Sequence, residues 1–385
     1  MTDAVIAGVG ESQVGRVATA GSLGLHLLAA KAAIVDSGVP KGAIDGVLCG
    51  QSYVSGVERQ SSAVAEALGL RVRFSNTWQV SGASGCAMVS AAVDAIHAGR
   101  ASTVLVSCGD NRLSGLGSSR AVTQLASQRN PEYEIPYGPL TASMSALWCK
   151  RHMHEYGTSR RELAEICVQL RNNGIAHGGG LMTTPLSVED CLSARPISTP
   201  YHLYDCSPIA DGGAALLVTG ADVARSYGAR AVKVIGFGAA YWAEHSWCAK
   251  SLTESAARES GERAYAMAGC GPSEITAAEI YDCFSGAFMI QLADLGFCKK
   301  GEEAGFIAEG GLAGARGTRF NTNGGLLSYG HTGIAAGLSL VVEGVRQARM
   351  AKAAQKGKVQ VGKVLVHNMG GIFSSHATIV LEGGY

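Results

Sequence analysis

Two tyrosines and a histidine fall where a strand or a glycine-rich turn ends. His331 lies near the end of the stretch NTNGGLLSYGHTG, residues 321–333, which leads into an almost wholly apolar segment. A helix starting there would present free N–H groups and the positive end of its dipole, which favour a developing oxyanion. Tyr329 lies two residues earlier, and Tyr281 stands in EIYDCFSG after an apolar run. These residues form a candidate acid–base site, although a tyrosine at such a place more often only packs, and His331 fits a buried structural role equally well.

Two other motifs favour structural roles. Gly8 and Gly10 follow a strand pattern, but the third glycine and the acidic residue of a dinucleotide-binding loop are missing. We interpret that pair as a tight turn. His152 and His154 are two residues apart, so on a helix they would point to different faces. They predict a solvated helix face, and we expect no metal site.

Three pairs of similar segments indicate an internal repeat. AVIAGVGE, from Ala4, resembles VKVIGFGA, from Val232. GAIDGVLCGQSYVSG, from Gly42, resembles SEITAAEIYDCFSGA, from Ser273. The third pair places a glycine-rich loop, an apolar helix and a Val-Leu-Val strand in each half: GASGCAMVSAAVDAIHAG with TVLVSCGD, and GHTGIAAGLSLVVEGV with KVLVHNMGG.

The repeat predicts an α/β fold of two β-α-β-α-β halves, with a mainly parallel sheet and helices buried between the halves. Residues 1–111 together with about 200–228 form the first half, and 229–385 form the second. The segment 112–199 has no counterpart in the second half and is rich in Arg, Asn, His and Pro. We expect it to be an inserted loop domain over the active site.

Composition excludes several function classes. Apolar residues make up 47% of the 385 residues, charged residues 16%, and the formal net charge is +1, which is not the footprint of a nucleic-acid binder. The eleven cysteines are an odd number without a C-x-x-C pair, so reduced thiols in a cytoplasmic protein are expected. The N-terminus does not resemble a signal peptide, and we expect no membrane span.

Several motifs resemble the thiolase superfamily along essentially the whole chain. NTNGG with a later Gly-His pair resembles the C-terminal thiolase signature, and DGGAALLV, from Asp211, resembles a family strand. GASGCAMVSAAVDAIHAG is similar to the helix that begins at the thiolase nucleophile, and YDCF is similar to the HDCF box of the sterol-carrier type. The resemblance implies the thiolase fold, a duplicated, layered αβαβα sandwich.

The departures from the family bear directly on the chemistry. By family spacing the nucleophilic cysteine would fall at Gly82, the second cysteine at Asn368, and the histidine of the HDCF box at Tyr281. Cys86 should lie one turn into the helix, out of reach of the same point. Since thiolase chemistry needs a thiolate to take the acyl group, ordinary condensation or thiolysis is not expected.

Without the two family cysteines, the resemblance still implies a site that binds a coenzyme A thioester. It implies an oxyanion hole from His331 and the N–H groups near Gly82 and Gly370. With Tyr281, Tyr329 and His331 as catalytic residues, the pattern is similar to the lipid-transfer-protein-type aldolases of steroid side-chain degradation. This similarity implies retro-aldol cleavage of a β-hydroxyacyl-CoA, such as a 17-hydroxy steroid thioester, without a cofactor. We favour Tyr329 as base, because a helix N-terminus and His331 would promote its phenolate.

The same resemblance implies a homodimer and a small OB-fold partner with a zinc ribbon. We expect strand 103–107 to form the dimer edge. Two other hypotheses remain open. One is an atypical acyltransferase or carbon–carbon hydrolase with Cys283 or Cys108 as a relocated thiol. The other is a non-catalytic subunit that binds acyl-CoA or lipid.

Overall fold

The computed structural model describes residues 3–127, 129–354 and 362–384. Its strands are β1 (Ala4–Glu11), β2 (Gly46–Gly50), β3 (Phe74–Trp78), β4 (Thr103–Asn111), β5 (Pro196–Ser198), β6 (Tyr201–His202), β7 (Asp211–Gly220), β8 (Val232–Tyr241), β9 (Ile275–Ile280), β10 (Arg319–Phe320), β11 (Lys363–Gly370) and β12 (Ser375–Gly383). Its α-helices are α1 (Ser22–Ser37), α2 (Gln60–Ala67), α3 (Ser84–His97), α4 (Arg112–Gly115), α5 (Ser118–Ala126), α6 (Thr141–Tyr156), α7 (Arg160–His177), α8 (Val188–Ser193), α9 (Ala221–Ser226), α10 (Ala257–Ala268), α11 (Ser285–Asp294), α12 (Glu303–Ala308), α13 (Gly325–Tyr329) and α14 (Ala336–Ala354). No helix in these ranges is both long and apolar enough to cross a bilayer.

The main sheet has the same strand arrangement on both sides of its centre. Its order is β10-β9-β11-β12-β8-β1-β7-β4-β2-β3. Counted outwards from the centre, β1, β7, β4, β2 and β3 correspond to β8, β12, β11, β9 and β10. The halves meet where β1 and β8 pair antiparallel, with Val5 opposite Lys233 and Ile6 opposite Val232. The predicted duplicated α/β fold is therefore confirmed. The expectation of a mainly parallel sheet is wrong, since five of the nine strand pairings in the main sheet are antiparallel.

Each of the three similar segment pairs occupies equivalent places in the two halves. The first pair forms β1 and β8, and the second contains β2 and β9. The third pair forms α3 with β4 and α14 with β11. Helices α3 and α14 contact each other, and each packs on strands of both halves, so they form the layer between the halves. Their apolar residues, such as Val89 and Val341, are fully buried, as a helix apolar on all sides requires.

The Gly-x-Gly pairs of β1 and β8 lie within strands, so the prediction of a tight turn is wrong. A β-carbon on Gly8 or Gly10 would collide with the backbone of α1, at Ala33 and Ala29. In the other half, Gly236 and Gly238 of β8 meet the backbone of α10 in the same way. Glycine is needed because it lets a helix approach its strand closely.

The connection between β4 and β7 contains α4 to α8 and the small β5–β6 sheet. In the second half a turn of four residues, 371–374, joins the equivalent strands β11 and β12. The segment predicted as an inserted loop domain is thus largely helical. The assignment of residues 1–111, 112–199, about 200–228 and 229–385 to separate domains stays a prediction.

Two expectations about particular residues are wrong. The strand expected at the dimer edge, β4, pairs with β7 on one side and β2 on the other, so it offers no free edge. The outermost strands of the main sheet are β3 and β10. His152 is not on a solvated face: it is fully buried, and its Nε2 lies 3.1 Å from an oxygen of Glu303.

Candidate active site

A cavity of about 330 Å³ opens between the two halves and the inserted helices. Tyr281, His331 and Gly82 line it, so the structure brings together three of the predicted site residues. Its remaining lining residues are Tyr53, Ser81, Arg112, Ala121, Val122, Leu125, Arg129, Leu140, Thr141, Ala142, Ile197, Cys206, Ser207, Ile209, Glu244, Cys283, Phe284, Gly333, Met369 and Gly371. The size is within the range of small-molecule sites, and several of the lining side chains are aliphatic.

Tyr281 is the first residue after the buried strand β9. Its N–H donates to the carbonyl of His367 on β11 at 3.0 Å, and its carbonyl accepts from Nε2 of Gln291 on α11 at 2.9 Å. Both backbone groups are thus fixed by neighbouring elements. The side chain leaves the end of a rigid sheet and is only 5% exposed. A phenol held in this way has little freedom of orientation, which is what a catalytic group requires.

His331 follows α13 in a segment bonded to residues that precede β7. Its N–H donates to the carbonyl of Pro208 at 2.8 Å, and its carbonyl accepts from the N–H of Ala210 at 3.0 Å. Its Nε2 lies 3.0 Å from the hydroxyl oxygen of Tyr281. The two rings are nearly perpendicular, with their centroids 5.8 Å apart. The Gly-His motif and the YDCF motif therefore meet in one hydrogen-bonded pair.

The protonation of this pair follows from its surroundings. Burial, with a further contribution from the Arg112 charge, lowers the pKa of His331 to about 3, so the imidazole is neutral. The N–H of Gly333 donates to Nδ1 of His331 at 3.3 Å, which leaves the ring proton on Nε2. Nε2–H then donates to Tyr281, whose own O–H is free for the cavity. Because burial raises the pKa of Tyr281 well above its ordinary value, this phenol is a proton donor.

Asp282 ties the two motifs together on the side away from the cavity. Its carboxylate accepts from the N–H groups of Leu326 and Leu327, in the first turn of α13, at 2.7 and 3.1 Å. Burial raises the pKa of Asp282 to about 7. The residue next to Tyr281 thus anchors the helix that leads to His331. This anchoring fixes the distance between the phenol and the imidazole.

Gly82 precedes α3, and its place leaves no room for a side chain. A β-carbon there would lie 2.5 Å from both the hydroxyl oxygen and the ring carbon that bears it in Tyr281, and would collide with the carbonyl of Met369. The neighbouring Ser81 has a φ of +48°, a costly conformation for a residue other than glycine. Gly82 lies at the N-terminal end of a helix of 14 residues, where N–H groups and the dipole favour negative charge.

Asn368, where the family spacing would put the second thiolase cysteine, also carries no acid–base group. Asn368 is fully buried on β11 and does not line the cavity. Its Oδ1 accepts from the N–H of Cys86 at 2.9 Å, and its Nδ2 donates to the carbonyl of Gly337 at 3.2 Å. Asn368 therefore joins α3 to α14. Cys86, in the first turn of α3, is buried with its Sγ 3.6 Å from the carbonyl of Val366 and does not line the cavity.

Two thiols do reach the cavity, those of Cys206 and Cys283. Burial raises the pKa of Cys206 to about 12 and that of Cys283 further still. Both are protonated thiols, which are poor nucleophiles. Cys108, the other thiol considered for a relocated nucleophile, is buried on β4 and does not line the cavity.

Of the three groups expected to form the oxyanion hole, two face the cavity. Gly82 lines it, whereas Gly370 does not, although its neighbours Met369 and Gly371 do. Gly370 packs against the turn before α3, where a β-carbon would collide with the carbonyl of Val80. Nε2 of His331 is engaged by Tyr281. The oxyanion roles of these three residues stay predictions.

Tyr329 lies apart from Tyr281 and His331. It is the last residue of α13, not the neighbour of a helix N-terminus, and it does not line the cavity. Its hydroxyl donates to Glu11 at 3.4 Å, and that carboxylate also pairs with Arg346 at 2.6 Å. Burial and the Glu11 charge raise the pKa of Tyr329. The expectation that its phenolate would be promoted is therefore wrong, because the local charge opposes it.

Among the polar cavity residues that sequence reasoning missed are Tyr53 and Arg112. Tyr53 follows β2 and Arg112 follows β4, and these strands are parallel neighbours. Side chains that follow adjacent parallel strands meet at one edge of a sheet. The repeat offered a signal, since Tyr53 belongs to the segment paired with the one that contains Tyr281.

Comparisons with known proteins agree with this architecture. Residues 238–383 match the family described as thiolase C-terminal domain-like. An acetyl-CoA acetyltransferase of Methanocaldococcus jannaschii is 28% identical over 384 residues, which cover 96% of each chain. A steroid side-chain-cleaving aldolase of Thermomonospora curvata is 30% identical over 372 residues, covering 92% of this chain and 93% of that one.

Among solved structures, the Ltp2-ChsH2(DUF35) aldolase superposes with a TM-score of 0.85 at 28% identity, covering 99% of this chain and 98% of that one. The duplicated sheet, the buried central helices and the relatives that match along nearly the whole length lead to one conclusion. The chain belongs to the thiolase superfamily, among thiolase-like proteins that include a steroid side-chain-cleaving aldolase.

Proposed function

We propose that this protein is a carbon–carbon lyase that cleaves a β-hydroxyacyl-CoA by a retro-aldol reaction. The observation that carries the proposal is the Tyr281–His331 pair, whose phenol fills space that a side chain at position 82 would need. A β-carbon at position 82, where the family spacing would put the thiolase cysteine, would collide with the phenol. A chain that transferred acyl groups through a cysteine would need that space.

The reaction moves one proton and breaks one carbon–carbon bond. A base removes the proton of the β-hydroxyl, and the Cα–Cβ bond electrons pass to the thioester as an enolate. A ketone or aldehyde leaves. The Tyr281 O–H then donates its proton to Cα, giving a shorter acyl-CoA. Coenzyme A enters as part of the substrate, and the proposed steps need no cofactor. The N-terminal end of α3 beside Gly82 would stabilise the enolate oxygen.

The apolar lining supports a hydrophobic acyl group. Val122 and Leu125 of the inserted helix α5 line the cavity, together with Leu140, Ile197 and Phe284. One relative is named as a steroid side-chain-cleaving aldolase. We therefore propose a 17-hydroxy steroid thioester as a candidate substrate. A cytoplasmic location fits a CoA-dependent enzyme and is part of the proposal.

A complex with a second protein is also part of the proposal. The solved aldolase with the TM-score of 0.85 is named as Ltp2-ChsH2(DUF35), a name that pairs two proteins. By analogy, this chain would form a homodimer that binds a small OB-fold partner with a zinc ribbon. Co-purification with a co-encoded protein of that type would test this.

One alternative has a specific observation in its favour. A relative that is 28% identical over 96% of the chain is named as an acetyl-CoA acetyltransferase. That activity would need a nucleophilic thiol, and the two thiols in the cavity are held protonated by burial. A non-catalytic acyl-CoA-binding subunit is the third hypothesis, and the ordered acid–imidazole pair argues against it.

A cleavage assay distinguishes the three hypotheses. The purified chain, with any co-encoded small partner, would be given a panel of β-hydroxyacyl-CoA thioesters that includes the 17-hydroxy steroid. Release of a ketone and a shorter acyl-CoA, lost in Tyr281→Phe but kept after thiol alkylation, is the expected result. Acyl transfer that alkylation abolishes would show the acyltransferase instead. Tight acyl-CoA binding without cleavage or transfer would leave the binding subunit.

A further inference from the structure

We propose that Glu279 and Glu343 share one proton through the hydroxyl of Thr322, and that this bridge positions the phenol–imidazole pair of the cavity. The two carboxyl groups belong to β9 and α14, and neither side chain lines the cavity. The shared proton follows from the geometry of the three side chains. The positioning role rests in addition on the proposed retro-aldol function.

Thr322 has one hydroxyl proton but two carboxyl oxygens within hydrogen-bond distance. Its Oγ1 lies 2.7 Å from Oε1 of Glu279 and 2.7 Å from Oε1 of Glu343. Because a hydroxyl donates to only one acceptor at a time, the second contact is a hydrogen bond only if that carboxyl carries a proton. Both carboxyl side chains are fully buried, so solvent does not screen two adjacent negative charges. One of the two is therefore a neutral carboxylic acid.

The proton belongs to Glu279, because Glu343 is the better place for a negative charge. Oε1 of Glu343 also accepts from Nε2 of Gln347 at 2.7 Å. Its Oε2 lies 3.4 Å from Nε2 of His177 and 3.7 Å from Nη1 of Arg346. Hydrogen-bond donors and cations at these distances favour the ionised form. Burial and the charge of Glu343 raise the pKa of Glu279 to about 8, in agreement with this assignment.

The charges around the two carboxyl groups balance only when one of the groups is neutral. The titratable groups that face them come from five places in the fold: His177 of α7, Arg346 of α14, Glu11 of β1, Tyr329 of α13 and Asp282 after β9. Arg346 pairs with Glu11 at 2.6 Å, and the contact with Glu343 raises the pKa of His177. Two carboxylates thus match two cations. An ionised Glu279 would add a third buried carboxylate without a cation of its own.

The bridge joins the two chain segments that carry the catalytic pair. Glu279 lies on β9, two residues before Tyr281. Thr322 and Glu343 are the two ends of the segment that contains His331, and their hydrogen bond closes this segment into a loop. The second hydrogen bond, from Glu279 to Thr322, attaches the loop to β9. The distance between the phenol and the imidazole therefore depends on the bridge.

Asn321 fixes the same turn against the end of β9. Its Oδ1 accepts from the N–H of Ile280 at 2.7 Å, and its Nδ2 donates to the Ile280 carbonyl at 2.8 Å. Ile280 directly follows Glu279, so two consecutive residues of the turn, Asn321 and Thr322, bond to two consecutive residues of the strand. A negative charge on Glu279 would repel the Glu343 carboxylate and weaken this attachment.

Infrared spectroscopy tests the shared proton directly, without any substrate. At neutral pH in D₂O, wild type should show the C=O band of a protonated carboxyl group that is lost in Glu279→Gln. Glu262→Gln, at an exposed glutamate of α10, is the matched control and should keep the band. Identical spectra for wild type and Glu279→Gln would overturn the shared proton.

The pH dependence of stability provides a second readout. The pKa of Glu279 is raised from 4.5 to about 8, so between these values the folded chain holds a proton that the unfolded chain has released. The stability contributed by this residue is complete below pH 4.5 and is lost as the pH rises through 8. Relative to Glu279→Gln, wild type should therefore lose stability between pH 5 and 8. Parallel curves, or a Glu279→Gln chain that does not fold, would contradict the neutral acid.

Kinetics test the positioning role on a β-hydroxyacyl-CoA that wild type cleaves. Thr322→Val removes the bridge with little change in volume, and kcat should fall by about 10²-fold with a much smaller rise in KM. Thr322→Ser restores a hydroxyl and should restore kcat. Full kcat in Thr322→Val would overturn the positioning role.

A kinetic ratio decides the same point if Thr322→Val does not fold. The kcat of Glu279→Gln relative to wild type should rise from pH 7 to pH 9, because only the wild-type acid ionises in that range. A constant ratio would overturn the positioning role. Absence of cleavage by wild type would instead overturn the proposed function, and the infrared result would still decide the shared proton.

Discussion

The ring of Tyr281 fills the volume that any side chain at position 82 would need. The hydroxyl oxygen of Tyr281 lies 2.5 Å from the point where a β-carbon on Gly82 would be placed. The two residues are thus mutually dependent: a nucleophile at 82 and a tyrosine at 281 cannot coexist in this geometry. Restoring the thiolase cysteine alone should therefore not restore thiolase chemistry.

Gly82→Ala tests this dependence. We expect it to lower the free energy of unfolding by about 1–3 kcal/mol through overpacking and to reduce cleavage by displacing the phenol. The backbone carbonyl of Met369 also occupies the place of the added β-carbon, so a change of the Tyr281 rotamer alone cannot relieve the clash. Gly56→Ala is the matched control, because nothing lies within 4 Å of its added carbon. Denaturant unfolding and steady-state kinetics measure both effects. An equally stable and active Gly82→Ala would contradict the packing argument.

Asp282→Ala should lower the catalytic activity indirectly, through the position of His331 and not through contact with the substrate. The variant removes the acceptor of the Leu326 and Leu327 N–H groups, at an expected cost of about 1–3 kcal/mol. His331 should then lose its fixed distance from Tyr281, so kcat should fall more than KM rises. Asp222→Ala, at an exposed carboxylate of α9, serves as the control. A variant that is destabilised yet keeps its full kcat would show that Asp282 has no positioning role.

The cavity thiols should be dispensable. Cys206→Ala and Cys283→Ala are expected to keep most of the cleavage activity, because both thiols are protonated at neutral pH. Incubation of wild type with an acyl-CoA should leave the intact mass of the protein unchanged. An acyl adduct lost in one of the two variants would favour the acyltransferase hypothesis.

His26 should make the fold sensitive to acid. Its pKa is lowered from 6.5 to about 3 by burial, so between these values the unfolded chain binds a proton that the folded chain does not. The stability contributed by this residue is complete above pH 6.5 and is lost as the pH falls below it. Between pH 7 and 5, the unfolding free energy of wild type should fall relative to His26→Asn by roughly 2 kcal/mol. Parallel stability curves for the two proteins would exclude the effect.

The sequence alone determined the duplicated fold and part of the site. Strand and helix periodicity is local, so the segments from Ala4 and Val232 could be matched by their pattern of residues. The motifs around Tyr281 and His331 each mark the end of an element. The resemblance of these motifs to two thiolase motifs predicted that they meet in one site.

Only the tertiary structure decided which way the other side chains point. Tyr329 is two residues from His331 in sequence, but the turn between them sends its hydroxyl to Glu11. Tyr53 is over two hundred residues from Tyr281, yet the two lie in one cavity. The dimer-edge prediction failed for the same reason, since the place of β4 between β2 and β7 depends on long-range pairing. The spacing of apolar residues along the chain indicates whether a segment is a helix or a strand. Which side chains become neighbours depends on how distant elements pack together.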